Sequence, residues 1–522
     1  MIIFGGTNCN TRSNISLCVA RLDTITELEK QRYSYCPILA KGPTRQSDPS
    51  STAYVTCLVS IIAICISANA QQNVFNVQSY GAAGNGITDD SLAFMKAWKD
   101  TCGAGTGIPT MIIPKGKIFL VNPITFTGPC KPSIINVKLS GTIVAPNGPD
   151  QWKAADLSTW LAFQDVNGLT IDGPGTMDGS GKGWWDRSCK LHPGHQGCIR
   201  LAPTVLKFAR CNNIHMSNIK FQNSPQTHVL VLGCQDVDFG FLTVQAPGTS
   251  PNTDGIHIQI SRNVSIYNSQ IGDGDDCISI GDLTSDINIT NINCGPGHGV
   301  SIGSLGKDGG EAQVKNINVR GVNFRGTTNG VRIKTWQTGR GVVESVSFSN
   351  INFTAVKNPI IIDQFYCDVP NSCRETITMS KRVILKQQHR HLPATAGSQK
   401  ESYRDRSILD RNQEITHHTT PLGINPSSSP AEFLLLLMLL LLLLNTGVHI
   451  NGVLYSQLYG TSRTQVAINL NCSDNFPCTG ITLENIQLAS ATRGGHLVSN
   501  CNNAIGVSRG IVEPKSCLPN II

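Results

Sequence analysis

Four short stretches hold the residues able to do chemistry. Ser250-Pro-Asn252-Thr-Asp254-Gly-Ile-His257 and Gly274-Asp275-Asp276-Cys277 supply three carboxylates. Gly297-His298-Gly299 supplies a histidine, and Arg332-Ile333-Lys334 supplies two cations. Carboxyl groups held in close company cannot all ionise freely, so at least one pKa rises. A carboxyl raised in this way can act as a general acid while its ionised neighbours activate water. Inverting hydrolysis of a glycosidic bond needs that division of labour, with acid and base roughly 6.5–9.5 Å apart. Residues two apart on a strand share a face, so Arg332 and Lys334 project together and suit a carboxylate on the substrate. Acid, base and cations on one surface point to a polymer of sugar acids.

Taken singly, each stretch has a plainer explanation. Asn-Thr-Asp-Gly is a turn signal, Gly-His-Gly suits a loop, and an Arg-x-Lys strand is usually a solvated face. Order and spacing change that balance. Asp254 and Asp275 are 21 residues apart, and Asp275 and His298 are 23 apart. Both separations are close to one turn of a β-solenoid, which would stack the residues one above another.

The elements that must position them repeat. From about residue 165 a short alternating apolar strand, usually with Asn, recurs before a turn. Its first apolar residues are Ile214, Val237, Val264, Ile287, Ile317 and Val346, at intervals of 23, 27, 23, 30 and 29. A repeat of this length with strand periodicity predicts an all-β chain folded as a parallel β-helix. Asn at equivalent positions predicts stacked amide ladders. Upstream, Val74 to Gly81 alternates like a first strand. Thr88-Asp-Asp-Ser91 suits a helix cap, and Leu92 to Thr101 predicts a short amphipathic helix with Leu92, Met95 and Trp98 on its apolar stripe. Such a helix would cover the open end of the solenoid.

The rhythm breaks once. The next matching unit, Val448-His-Ile-Asn-Gly-Val, lies 102 residues after Val346. Residues 375–447 are polar and His-rich, then end in a Leu run from Leu434 to Leu444. They read as a disordered insertion foreign to the fold, most simply retained non-coding sequence. The alternative is a genuine long surface loop. Residues 1–50 read as an aperiodic extension not native to the fold. Residues 51–70 read as a signal peptide, with Ala68-Asn69-Ala70 as cleavage site. Residues 71–374 carry the β-helix and its catalytic coils, and 448–522 carry the last coils and cap.

Composition agrees. Fifty glycines and 15% charged residues among 522 suit strands and turns, and a repeat architecture absorbs that length in one domain. The net charge of +7 suits an acidic partner, though charge alone describes any soluble surface. No arginine-aromatic cluster points to nucleic acid, and the apolar runs are too short for a stable membrane span. Of 19 cysteines, fourteen lie between Cys102 and Cys517. That even set suggests disulfides in a secreted chain, with Cys367/Cys373 and Cys472/Cys478 placed to close short loops. The spacings CxxC and HExxH are absent. Asn263, Asn288, Asn352 and Asn471 begin N-x-S/T sites that permit glycosylation.

The ordered set Asn252-Thr-Asp254, Gly274-Asp-Asp276, Gly297-His298-Gly299 and Arg332-Ile-Lys334 resembles the signature of plant polygalacturonases, glycoside hydrolase family 28. Gly173-Pro-Gly-Thr-Met-Asp-Gly, Asn358-Pro-Ile-Ile-Ile-Asp-Gln and Cys478-Thr-Gly-Ile-Thr-Leu-Glu match as well. The resemblance covers residues 73–374 and 448–517. It implies a right-handed parallel β-helix, a secreted monomer of the extracellular cell wall, pectin (homogalacturonan) as substrate, and no metal or other cofactor. By the same resemblance Asp275 is the general acid, Asp254 and Asp276 activate water, and His298 tunes the acid. Asn252, Arg332 and Lys334 then bind substrate. One departure stands out: Asp273 occupies a position usually held by Thr or Ser, where a fourth acid either raises its neighbours' pKa values or faces outward. Endo- versus exo-cleavage stays open. Two rival functions share the architecture, a calcium-dependent pectate-lyase-like eliminase and a non-catalytic pectin-binding β-helix.

Overall fold

A computed structural model describes residues 73–105, 107–368 and 447–519. They coil into a parallel β-helix of two long sheets, one of nineteen strands and one of eleven. The expected column of apolar residues is present in register. Leu169, Ile214, Val237, Val264, Ile287, Ile317 and Val346 pair rung by rung. All seven are buried inside the coil, and each such side chain contributes about 1.5–3 kcal/mol relative to exposure. The residue just before each rung takes a left-handed backbone: Asn213, Asp236, Asn263, Asp286, Asn316 and Ser345 have φ of 54–60°. Asn and Asp tolerate this conformation better than most residues, which explains why the repeat carries them. Amide ladders run along the exterior. Asn323 donates to Asn293 at 3.1 Å, and Asn352 donates to Asn323 at 3.2 Å.

The same column sets the register beyond the break. The strand Arg340–Val356 pairs directly with Gly447–Ser462, and Val346 partners Val453. Val448 partners Gly341 instead. The register therefore resumes at Val453, not at Val448 as the alternation suggested. Gly452, with φ of 69°, occupies the left-handed position before that rung. Residues 1–50, the proposed signal peptide and 375–446 lie outside the described residues. Among the described residues no helix is long and apolar enough to cross a membrane.

Helix α1, Ser91–Gly103, lies near the N-terminal end of the coil as expected; Trp98 is buried and Met95 packs against the core, but Leu92 does not belong to the buried stripe. Ala93, Phe94, Ala97, Trp98 and Thr101 are buried, whereas Leu92 is exposed. Phe94 and Trp98 are one turn apart and meet Phe119, Phe126 and Phe163. Burying those two large rings outweighs burying Leu92. The preceding Asp90 makes no side-chain cap bond, because its carboxylate accepts from Ala83 and Gly84.

Disulfides join Cys102–Cys130, Cys189–Cys198, Cys277–Cys294, Cys472–Cys478 and Cys501–Cys517, and Cys367 is also disulfide-bonded. Cys472–Cys478 closes the short loop anticipated for it. Cys211 and Cys234 are buried free thiols, so the even set is not wholly paired. They lie one coil apart inside the apolar core, where a thiol behaves as a small hydrophobe.

Candidate active site

Four strands of the eleven-stranded sheet carry the site: β1 (Ile256–Gln259), β2 (Ile278–Ile280), β3 (Val300–Leu305) and β4 (Asn329–Trp336). In register, His257 lies beside Ser279, Ser279 beside Ser301, and Ser301 beside Arg332. The alternate residues Ile258, Ile280, Ile302 and Ile333 point into the core and are fully buried. Alternation therefore forces the polar set onto the outer face. Asp254 immediately precedes β1, Asp275 and Asp276 precede β2, and His298 precedes β3. The spacing of roughly one coil does bring these residues together.

Asp276 is the most enclosed ion-paired group. Its Oδ1 accepts from Arg332 Nη2 at 2.8 Å and Ser301 Oγ at 2.8 Å, and its Oδ2 accepts from Lys334 Nζ at 3.0 Å. Arg332 Nε also donates to Ser301 Oγ at 3.0 Å. Both cations of the Arg-x-Lys strand thus project together and converge on Asp276. Asp254 sits one rung away. Its Oδ2 is bonded to Ser279 Oγ at 2.7 Å, which contacts His257 Nδ1 at 2.7 Å. Burial, then the nearby charges of Asp275 and Asp276, push the Asp254 pKa up to about 8.

Asp275 behaves in the opposite way. Burial alone would raise its pKa, but the His298 hydrogen bond and the Lys190 charge outweigh this and hold it below the usual carboxylate range. His298 Nδ1 lies 3.0 Å from Asp275 Oδ1, and against an ionised Asp275 that nitrogen is the donor. Lys190 Nζ lies 2.7 Å from Asp275 Oδ2 and 2.6 Å from Asn252 Oδ1. Burial and like charge thus favour the protonated form of Asp254, whereas the partners of Asp275 favour its ionised form. Asp273 faces inward, against the outward alternative. It is fully buried, its Oδ1 accepts the Asp275 N–H at 3.1 Å, and its Oδ2 has no partner among the described residues. Burial first, then the charge of Asp254, push its pKa well above the ordinary value.

The donor atoms of Asp275, Asp276 and His298 lie within 4.8 Å of one another, close enough to share a cation. Each carboxylate oxygen already faces Lys190, His298, Arg332 or Lys334, so a metal ion would have to displace them. The donor set is that of an internally neutralised cluster.

Several contributors were not anticipated. Ser279 and Ser301 were visible as polar residues between buried isoleucines and valines. His228 is fully buried, and its Nδ1 contacts the Asp254 carbonyl at 3.0 Å, fixing the turn that aims Asp254. Burial lowers its pKa to about 4, which keeps it neutral. Lys190 gave no signal at all: it precedes Asn252 by 62 residues and sits beside Cys189 in a disulfide-closed loop.

This fold and site define a solenoid carbohydrate-active enzyme. The sequence profile of Glycosyl hydrolases family 28 matches residues 102–387 and 443–514. The chain belongs to that family and is a glycoside hydrolase. It is 37% identical over 440 residues to a polygalacturonase of Arabidopsis thaliana, covering 84% of this chain and 83% of that one. It is 37% identical over 448 residues to a polygalacturonase of Malus domestica, covering 86% and 80%. Its fold is similar to that of endo-xylogalacturonan hydrolase from Aspergillus tubingensis, with a TM-score of 0.60 at 20% identity, covering 84% and 98%.

Proposed function

We propose that this chain hydrolyses α-1,4-galacturonosyl bonds of homogalacturonan with inversion, using Asp275 as general acid and Asp254 and Asp276 to position and activate water. The convergence of three carboxyls with Arg332 and Lys334 on one outer rung column carries this reading. Asp276, clamped by buried Lys334 and half-buried Arg332, suits a fixed carboxylate that holds water. Asp275 has the more accessible partners and lies where a leaving oxygen can approach. His298 orients it. Arg332 and Lys334 supply the positive field for uronate carboxylates, and Asn252 frames the entrance beside Asp275. Secretion to the cell wall and action as a monomer belong to the same proposal.

The pKa directions favour a second reading, in which Asp254 is the acid and Asp275 the base. An activated aryl galacturonide separates the two, because its leaving group needs little protonation. Whichever Asp→Asn variant regains turnover on that substrate, while failing on polygalacturonate, has lost the acid. Sizing the products of polygalacturonate digestion settles the cleavage mode: monomer alone means exo, mixed oligomers mean endo. Ultraviolet-absorbing unsaturated product would replace this reading with the eliminase.

A further inference from the structure

Three donors surround the Asp275 carboxylate, and the acceptor site left open on Oδ2 lies beside the Lys190 ammonium. Oδ1 accepts from His298 Nδ1 and from the Asp276 N–H at 3.0 Å, and Oδ2 accepts from Lys190 Nζ. A cation held against that oxygen favours the ionised carboxylate, so Asp275 takes up a proton more readily once a cationic donor has moved away. The Asp276 N–H is fixed by the backbone, and His298 is tied by its own amide to the Asp275 carbonyl. Lys190 differs from both. It rides on the loop closed by Cys189–Cys198, and its side chain is 47% exposed. Arg332 and Lys334 side chains are only 15% and 9% exposed, and both are committed to Asp276. Of the three cations around the carboxyls, Lys190 presents the most open charge, on a flexible four-carbon stem.

We propose that Lys190 is a substrate-carboxylate ligand and a latch on the acid: in the empty groove it caps Asp275 and Asn252, and an incoming uronate carboxylate draws its ammonium away. Asp275 is then free to take one proton from hydronium in solution, leaving water, and to pass that proton to the departing glycosidic oxygen. The catalyst is armed only when an anionic sugar is in place. Neutral polysaccharides, lacking the carboxylate, leave the latch shut. This inference rests on the polygalacturonate reading above and deepens it by adding a specificity-determining residue from outside the catalytic coils.

The test compares wild type, Lys190→Met and Lys190→Arg on polygalacturonate across pH at low salt. Lys190→Met is expected to raise KM about tenfold, the size of one lost charge-assisted hydrogen bond, and Lys190→Arg to recover most of it. The sharper signature is in the pH profiles. The profile of kcat/KM reports the free enzyme and that of kcat the loaded one. Without Lys190 the alkaline limb of kcat/KM moves to higher pH, because the free acid is no longer held ionised. The limb of kcat stays, because Lys190 has already left Asp275 in the complex. Lys190→Gln, measured alongside, serves if the Met variant is poorly secreted. A KM within twofold of wild type, or limbs that both stay or both move together, would reduce Lys190 to a loop tether and overturn the proposal. A wild type inactive on polygalacturonate would instead defeat the functional reading itself, and with it this inference.

Discussion

The coils between Ile271 and Thr354 carry two polar columns, one on each sheet, and they are built on opposite principles. On the larger sheet Asn293, Asn323 and Asn352 stack as a ladder in which each amide donates to the one before. Identical residues on successive rungs satisfy one another without charge. On the smaller sheet Asp276, Ser301, Arg332 and Lys334 also bond across rungs, but each rung bears a different group, and the cluster depends on exact complementation of charge. Beside it Asp254 and Asp273 are held with raised pKa values. The ladder uses polar atoms for coherence of the solenoid. The cluster pairs its ionised carboxylates with cations while shifting the pKa values of their neighbours, as expected where pKa values are tuned for chemistry.

Substitutions should sort by column. The largest effect belongs to Asp275→Asn, which should lower kcat on polygalacturonate by roughly 10²–10⁴-fold with the melting temperature kept near wild type; wild-type turnover would remove Asp275 from the acid role. Next is Lys334→Met. It leaves buried Asp276 with one cation instead of two, and breaking such a pair costs about 3 kcal/mol. Denaturant unfolding should show that loss together with lower activity, and a stability equal to wild type would mean that Asp276 has no need of the second cation.

The third effect concerns pH. The Asp254 pKa is raised in the folded state, so between its ordinary value near 4 and about 8 the folded chain binds more protons than the unfolded one. Stability should therefore fall as pH rises through that window, by up to about 1.4 kcal/mol per pH unit from this group. Asp275, with its lowered pKa, adds an opposite slope only at the acid end of that window and none above it. Asp254→Asn should flatten the curve, leaving the contribution of buried Asp273; an unchanged slope would show that Asp254 ionises freely. The smallest effect is expected in the ladder. Asn323→Ala should cost about 1 kcal/mol for each amide bond lost and leave kcat unchanged. A drop in kcat comparable to that of the cluster variants would mean that the two columns are coupled.

Much of this contrast could be read in the chain, and the rest was hidden for identifiable reasons. Asp254, Asp275 and His298 were legible because one coil length converts sequence distance into stacking, and Arg332 with Lys334 because a strand has period two. On the helix only Leu92 falls outside the expected stripe, because the tertiary position of Phe119 favours burying Phe94 in its place. The return of the register was misplaced by five residues because Val448 and Val453 both begin apolar alternations. Gly452, left-handed like Ser345 before it, distinguishes them. Lys190 could not be found, since a loop residue meets the coils by a path that no periodicity encodes. The reading of residues 375–447 as foreign leads to one more expectation: a chain joining Glu375 to Val448 should fold and secrete at least as well as the full one, and abolished activity in that deletion would make the segment functional.

The central claim is single-displacement hydrolysis of an acidic α-linked polymer at the Asp254, Asp275 and Asp276 cluster. Proton NMR of the first products released from polygalacturonate tests it most directly. The account predicts new reducing ends that appear first as the β-anomer, before mutarotation, and that form roughly 10²–10⁴-fold more slowly with Asp275→Asn. Reducing ends that appear first as the α-anomer, or that form at the wild-type rate in that variant, would contradict it.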